Sequence, residues 1–360
     1  MAQTNMDRAL GALDDYVKLN TEDNTAEFLK DFLKVLQPFP EGQSTLANDI
    51  AKLTTPAGSP DHPRLRQLVQ NLRTALVIPL KAKGGKTPAI TPSPRQGVED
   101  SIEDLRGLDI SPITRSLQRV LGKHCLERDG NRCVITGFHL NHEGAPRNAR
   151  IAPLEAAHII PVALGSFDKY DPESVTRHRT LWNTFARYFP AVERYCQDST
   201  LINEERNILT LTSTQHREFG EFRLVLEETR VVNQYKVKTF RDTYYEAKQN
   251  IPISKTIKFK KHAGEWDLPD PMLIKVHAAI GNFLHMSGGG ESIDRILREI
   301  DDHDLFASDG SSNLADLLQV SLSLNESRRN QMAEREQTEE KQQQRRAQGK
   351  GSKTENQPFT

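Results

Sequence analysis

Cysteine is scarce in this chain, with three in 360 residues. Cys125, Cys133 and Cys196 include no closely spaced pair. A disulfide framework and a two-pair zinc ribbon are therefore both excluded as the basis of the fold. A reducing compartment suits such a chain, and we expect an intracellular protein of the nucleus or cytoplasm.

The sequence also lacks long apolar runs and an excess of charge of either sign. No stretch approaches the roughly 18 apolar residues of a membrane helix, and the N-terminus does not have the pattern of a signal peptide. The formal net charge is −1, with 48 Lys and Arg against 49 Asp and Glu. We expect no membrane association, and any contact with nucleic acid must use a local basic patch.

At 360 residues the chain exceeds the usual size of a single core, which predicts several regions. A Pro, Gly and Lys-rich stretch supplies the best boundary. The end of the chain has almost no apolar anchor and is predicted to be disordered. The predicted division is a helical N-terminal region at 1–80, a linker at 81–96, the main domain at 97–287, C-terminal helices at 288–324 and a charged, Gln-rich tail at 325–360.

Apolar residues recur at helical spacing in four N-terminal segments, which predicts four short helices. The members are Leu10, Leu13 and Val17; Phe28, Phe32 and Leu36; Leu46, Ile50 and Leu53; and Leu65, Leu68, Leu72 and Leu76.

The central region mixes strand and helix patterns and predicts an α+β fold. A helix is predicted to begin at Ser111, followed by strands at 133–136 and 154–160, a helix at 178–195, a strand at 208–211 and a short helix from about Ser213. Further strands are predicted at 222–227, 235–240 and 256–259, and a helix at 271–286. Lys258 and Lys260 alternate with Ile257 and Phe259, which is typical of a half-buried edge strand, although phosphate contact is an alternative.

Three motifs stand out in this region: CVITG at 133–137, AAHIIP at 156–161 and NILTL at 207–211, the last leading to His216. Together they resemble the HNH nuclease family, and more narrowly the HNH domains of many fungal proteins. The resemblance covers residues 111–287. It implies a small ββα metal-finger core with a helical insertion and extra strands, preceded here by the helical N-terminal region.

The resemblance also implies roles for particular residues. His158 would be the general base that activates water, Asn207 would hold that imidazole and touch the metal, and His216 would be a metal ligand. One divalent ion, Mg²⁺, Mn²⁺, Ni²⁺ or Zn²⁺, would be the only cofactor, and DNA the substrate. These residue types suit phosphodiester hydrolysis, which needs a proton acceptor for water and positive charge at the phosphate.

Two positions depart from the family pattern. Ala157 stands where many members have a metal ligand just before the base, and Gly220 stands where many have a ligand four residues after the final His. Glu155 should face the other side of the strand from His158, so Glu221 is the predicted substitute ligand.

The departures leave other interpretations open. An HNH-derived module without catalysis could serve as a platform for nucleic acid or protein, or the N-terminal helices could be a docking bundle. Taken singly, each of these residues also has an ordinary structural explanation. His158 suits a strand end, Asn207 a turn or cap, and His216 the surface of a short helix. Cys133 is predicted to be a small buried hydrophobe rather than a ligand.

Overall fold

The computed structural model describes residues 4–55, 58–84, 115–161, 164, 170, 172–197 and 199–286. The predicted C-terminal helices, the predicted tail and residues 85–96 of the predicted linker lie outside the described residues. The described architecture is α+β, as predicted, with helices around two small antiparallel sheets. No helix within these ranges combines the length and the apolar character needed to cross a membrane.

The N-terminal region is helical, as its apolar spacing predicts. Its helices are α1 (Asn5–Asp14), α2 (Thr25–Val35), α3 (Pro40–Ala51), α4 (His62–Leu72) and α5 (Ile78–Gly84), with a π-helical turn (Arg73–Val77) between α4 and α5. Helix α5 extends past residue 81, where the sequence predicts that the linker begins.

Helix α1 buries one of its three predicted core residues, Leu13, together with two alanines. Leu10 is 40% exposed and Val17 is 69% exposed, whereas Ala9, Ala12 and Leu13 are buried. The helix ends at Asp14, so Val17 lies beyond it. The small alanines allow α1 to pack closely on α3.

Helices and strands alternate along the rest of the described chain. In order they are α6 (Arg115–Arg128), β1 (Leu154–His158), α7 (Pro172–Tyr188), α8 (Glu193–Gln197), β2 (Ile208–Thr212), α9 (Ser213–Gly220), β3 (Leu224–Glu228), β4 (Gln234–Thr239), α10 (Tyr245–Gln249), β5 (Thr256–Lys258) and α11 (Pro271–Met286). The helix predicted at 178–195 instead begins at Pro172 and ends at Tyr188, because Pro190 cannot continue it.

The two sheets have simple topologies. Strands β1 and β2 pair antiparallel, with His158 opposite Ile208. Strands β3, β4 and β5 form a second antiparallel sheet with β5 at its edge. The predicted edge-strand alternation is confirmed, since Ile257 is buried and Lys258 is exposed.

Residues 133–137 form a turn, and the strand predicted there is wrong. Gly137 donates its N–H to the carbonyl of Cys133 (2.9 Å) and has a φ of +73°, which glycine adopts readily. The N–H of Val134 donates to the carbonyl of Thr210 (2.9 Å), so the turn covers the edge of β2 that faces away from β1. Cys133 is buried, as predicted.

The N-terminal helices pack on the central region through aromatic rings. Phe32 lies 5.6 Å from Tyr188 and 5.0 Å from Phe283, measured between ring centroids. A Cβ atom on Gly42 would lie 1.9 Å from the carbonyl oxygen of Tyr188, so α3 and α7 approach each other at a position that only glycine permits. The apolar faces of α2 and α3 are thus engaged by α7 and α11, within one core that runs from Ala9 to Leu284.

A buried arginine joins α6, β2 and the chain before α11. Arg128, at the end of α6, is fully buried and makes two hydrogen bonds of 2.8 Å to the carboxylate of Asp129. Its remaining N–H groups donate to the carbonyls of Glu205 (2.7 Å), Ile208 (2.8 Å) and Asp267 (3.1 Å). All five donors of the guanidinium are therefore used, and the residue fixes α6, β2 and the chain before α11 to one another.

Replacement of this arginine should be strongly destabilising. Arg128→Met removes five hydrogen bonds, two to the Asp129 carboxylate and three to carbonyls, and leaves the buried carboxylate without its countercharge. This loss should cost about 3–5 kcal/mol of unfolding free energy. Denaturant unfolding measures this change. Lys123→Met, on the same helix with a side chain that is 75% exposed, is the control and should change stability by less than about 0.5 kcal/mol. Equal unfolding midpoints for both variants would contradict the role of Arg128.

Candidate active site

The two-stranded sheet and α9 bring the three predicted site residues into one region. His158 ends β1, Asn207 immediately precedes β2, and His216 lies on α9. Helix α9 starts directly after β2 because the Thr212 side chain accepts the N–H of Gln215 (3.3 Å) as an N-cap. It packs against both strands.

Asn207 connects the end of β1 to the turn before β2. Its carboxamide oxygen accepts the N–H of Ile160 (2.8 Å), and its Nδ2 donates to the carbonyls of Ile160 (3.0 Å) and Ile202 (2.8 Å). The residue is fully buried. These bonds join the side chain to backbone groups on both sides, so Asn207 positions the chain around His158; a metal contact by its oxygen stays a prediction.

His158 is almost enclosed, with an exposed fraction of 6%. Burial, together with the nearby charge of His216, lowers its pKa to about 4, although the contact with Asn203 opposes the shift. His158 Nε2 lies 3.3 Å from Asn203 Oδ1. A carboxamide oxygen only accepts, so Nε2 carries the hydrogen and Nδ1 holds the lone pair. Within the described residues Nδ1 has no hydrogen-bond partner.

His216 pairs with a carboxylate on the neighbouring strand. Its Nδ1 lies 2.6 Å from Glu155 Oε2, and the Ser213 hydroxyl donates to Glu155 Oε1 (2.6 Å). Burial opposes ionisation of Glu155, but the hydrogen bonds from His216 and Ser213 outweigh it and leave the pKa of the carboxyl below its ordinary value. The pair fixes the orientation of the His216 ring, with Nε2 as the nitrogen that does not face Glu155.

Glu221 occupies a different place from the predicted one beside His216. Its carboxylate contacts Arg217 (3.3 Å) and Arg223, and it follows the last turn of α9. The carboxylate beside His216 is Glu155, because the first turn of α9 rather than its end lies against β1. Ala157 is fully buried in the core, and Gly220 is buried at the end of the helix.

These donors allow a sparse metal site. No group of three His, Cys, Asp or Glu side chains suited to a metal ion occurs in the part of the chain that the structure describes. A metal-binding histidine commonly donates its other ring N–H to a carboxylate, and His216 with Glu155 has this arrangement. The residues fit a divalent ion held by His216 Nε2, with water and phosphate oxygens completing its coordination.

Sequence reasoning missed Glu155, Ser213 and Asn203 as members of the site. Strand alternation places Glu155 and His158 on opposite faces, and that rule gave no sign that α9 would reach Glu155. A Ser three residues before a His on a short helix was the available signal, since residues i and i+3 share a helix face.

Comparison with known proteins supports the resemblance found in the sequence. A family model described as HNH endonuclease matches residues 133–227, which include β1, β2 and α9. No curated protein and no solved structure matches the chain significantly. The chain therefore contains an HNH domain, as the motifs predict, and this domain indicates a nuclease-type function.

Loss of the Asn207 carboxamide should loosen this region. Asn207→Ala leaves three buried backbone groups without partners, and each such group costs about 1–3 kcal/mol before local relaxation. We expect a loss of at least about 2 kcal/mol in urea unfolding. Asn141→Ala, at an exposed asparagine, should have almost no effect. If Asn207→Ala is as stable as Asn141→Ala, then Asn207 does not hold this region together.

Proposed function

We propose that this protein is a metal-dependent endonuclease that hydrolyses phosphodiester bonds in DNA, with His158 activating water. The observation that carries the proposal is the pairing of Glu155 with His216 on a helix packed against the strand that ends in His158. This arrangement lies inside the segment that matches the HNH family.

In the proposed mechanism His158 accepts a proton at Nδ1. A pKa of about 4 keeps the ring neutral at physiological pH, so its lone pair is available. Asn203 fixes the tautomer through Nε2, and Asn207 holds the backbone just beyond His158 in place. The low pKa also makes His158 a weak base, so its contribution depends on positioning against a water molecule in a dry site.

His216 and Glu155 form the proposed electrophilic side of the reaction. A divalent cation, when bound, supplies positive charge for the phosphate oxygens and the leaving 3′ oxygen. The Glu155 carboxylate accepts the Nδ1 hydrogen of His216 and leaves Nε2 as the nitrogen that faces away from it. It would also make His216 a stronger metal ligand.

Cleavage of supercoiled plasmid tests the proposal directly. The wild-type chain should nick plasmid in at least one of Mg²⁺, Mn²⁺, Ni²⁺ and Zn²⁺. His158→Ala should lower the rate by at least about 100-fold, since a positioned general base contributes 10²–10⁴-fold. His142→Ala, in the polar loop before β1, is the matched control and should cut normally. Intact plasmid under all four metals, or equal cutting by His158→Ala, would reject the proposal.

A second experiment distinguishes Glu155 from Glu221. Glu155→Gln should raise the metal concentration required for half-maximal cleavage by about 10–100-fold, because a neutral amide supports His216 less well. Glu221→Gln should leave it unchanged, since that carboxylate contacts arginines. Titration of cleavage against metal concentration measures both. The reverse pattern would return Glu221 to the ligand set and remove Glu155 from it.

Two observations favour a different function. His158 is only 6% exposed, and the described residues contain no three-donor cluster. Both features suit an HNH-derived module that binds nucleic acid or protein without catalysis. Such a module would show no divalent-ion binding by calorimetry, and its association with DNA would be indifferent to His216→Ala.

A further inference from the structure

A groove lies between the turn at 133–137 and the edge strand β5. It has a volume of about 190 Å³ and is lined on one side by residues 132–137 and on the other by residues 257–260, with Pro252, Asp129 and His262 at its margins. Cys133, Ile135, Ile257 and Phe259 are its buried apolar members. Buried apolar side chains therefore hold the two walls of the groove in place.

The polar groups around this groove are predominantly basic. Lys258, Lys260 and His262 are exposed, and Arg132 is half-buried with a guanidinium nitrogen 2.8 Å from His262 Nε2. The single acidic member is Asp129, whose carboxylate is buried and bound by Arg128 and by the N–H of Thr210. Arg128 therefore pairs with this carboxylate within the fold, although the charge of Asp129 still acts on His262, whose pKa it tends to raise.

The basic side chains of the groove differ from others nearby in their carboxylate partners. Among the described residues, no carboxylate forms an ion pair with Arg132, Lys258 or Lys260, whereas Lys238 and Lys275 on nearby elements both do. Burial and the charges of Arg132 and Lys260 lower the pKa of His262 below its ordinary value. Crowded positive charge of this kind would be relieved by a bound anion.

The groove also has a defined relation to the candidate active site. The turn at 133–137 bonds to one edge of β2 through Thr210, and β1 with His158 pairs along the other edge. Neighbouring chains in such a layer are about 5 Å apart. The turn that lines the groove and the strand that ends in His158 therefore lie on opposite edges of β2.

We propose that Arg132, Lys258, Lys260 and His262 form a contact site for the phosphodiester backbone of duplex DNA. The choice of DNA among phosphate-bearing ligands rests on the proposed function, whereas the location of the site rests on the groove alone. Contacts to backbone phosphates supply affinity and orientation without reading sequence. Such a site would hold the duplex beside the strand that ends in His158.

Fluorescence anisotropy with a short labelled DNA duplex tests this site. The full chain is titrated in a chelating buffer, so that binding is measured without cleavage. Lys258→Gln/Lys260→Gln should weaken binding on the order of tenfold and reduce the slope of log affinity against log salt by about 2, one unit for each lost phosphate contact. Lys34→Gln/Lys52→Gln removes the same charge from exposed positions in the N-terminal region and should bind as the wild type does.

The outcomes separate this inference from the nuclease proposal. A selective loss of binding in Lys258→Gln/Lys260→Gln supports the groove, even if the wild-type chain never cuts plasmid. Wild-type affinity in that variant overturns the inference, even if plasmid is cut. Equal weakening in both double variants would reflect overall charge and would also overturn it, as would a wild-type chain that does not bind duplex DNA.

Discussion

The position of β2 depends on the buried ion pair between Arg128 and Asp129. A charged pair in a dry interior is tolerated only when its remaining hydrogen-bonding groups are satisfied. Here the guanidinium donates to three carbonyls, those of Glu205 and Ile208 around the start of β2 and that of Asp267 before α11. The carboxylate accepts the N–H of Thr210 in the middle of β2. One ion pair therefore holds the strand that carries both the candidate active site on one edge and the basic groove on the other.

The elements with strong periodicity could be predicted from the sequence. Helix α11 matches its predicted bounds of 271–286, and β2 to β5 lie within a few residues of theirs. Periodicity succeeds there because each element buries one regular face. It failed at residues 133–137, where a short apolar run forms a turn stabilised by Gly137. It failed in part at α1, where Leu10 and Val17 are exposed and two alanines face the core beside Leu13.

The site shows a different limit of sequence reasoning. His158, Asn207 and His216 could be selected because their motifs resemble a family, but their partners depend on how α9 packs. Glu155 became the partner of His216 through a contact across 61 residues, which no local pattern reports. Arg128 was likewise hidden, since a charged residue at a helix end ordinarily faces solvent, and its burial follows from partners about 80 and 140 residues away.

The two histidines of the candidate site have different electrostatic surroundings. His158 is buried, and desolvation keeps it neutral. His216 is paired with an ionised carboxylate, which favours a ring that donates at Nδ1 and presents its other nitrogen. The two histidines of this small ββα unit thus differ: burial disfavours the protonated form of His158, whereas His216 donates to a carboxylate and presents its other nitrogen. The proposed hydrolysis of a phosphodiester would use this difference, which arises from burial and from a single neighbouring carboxylate.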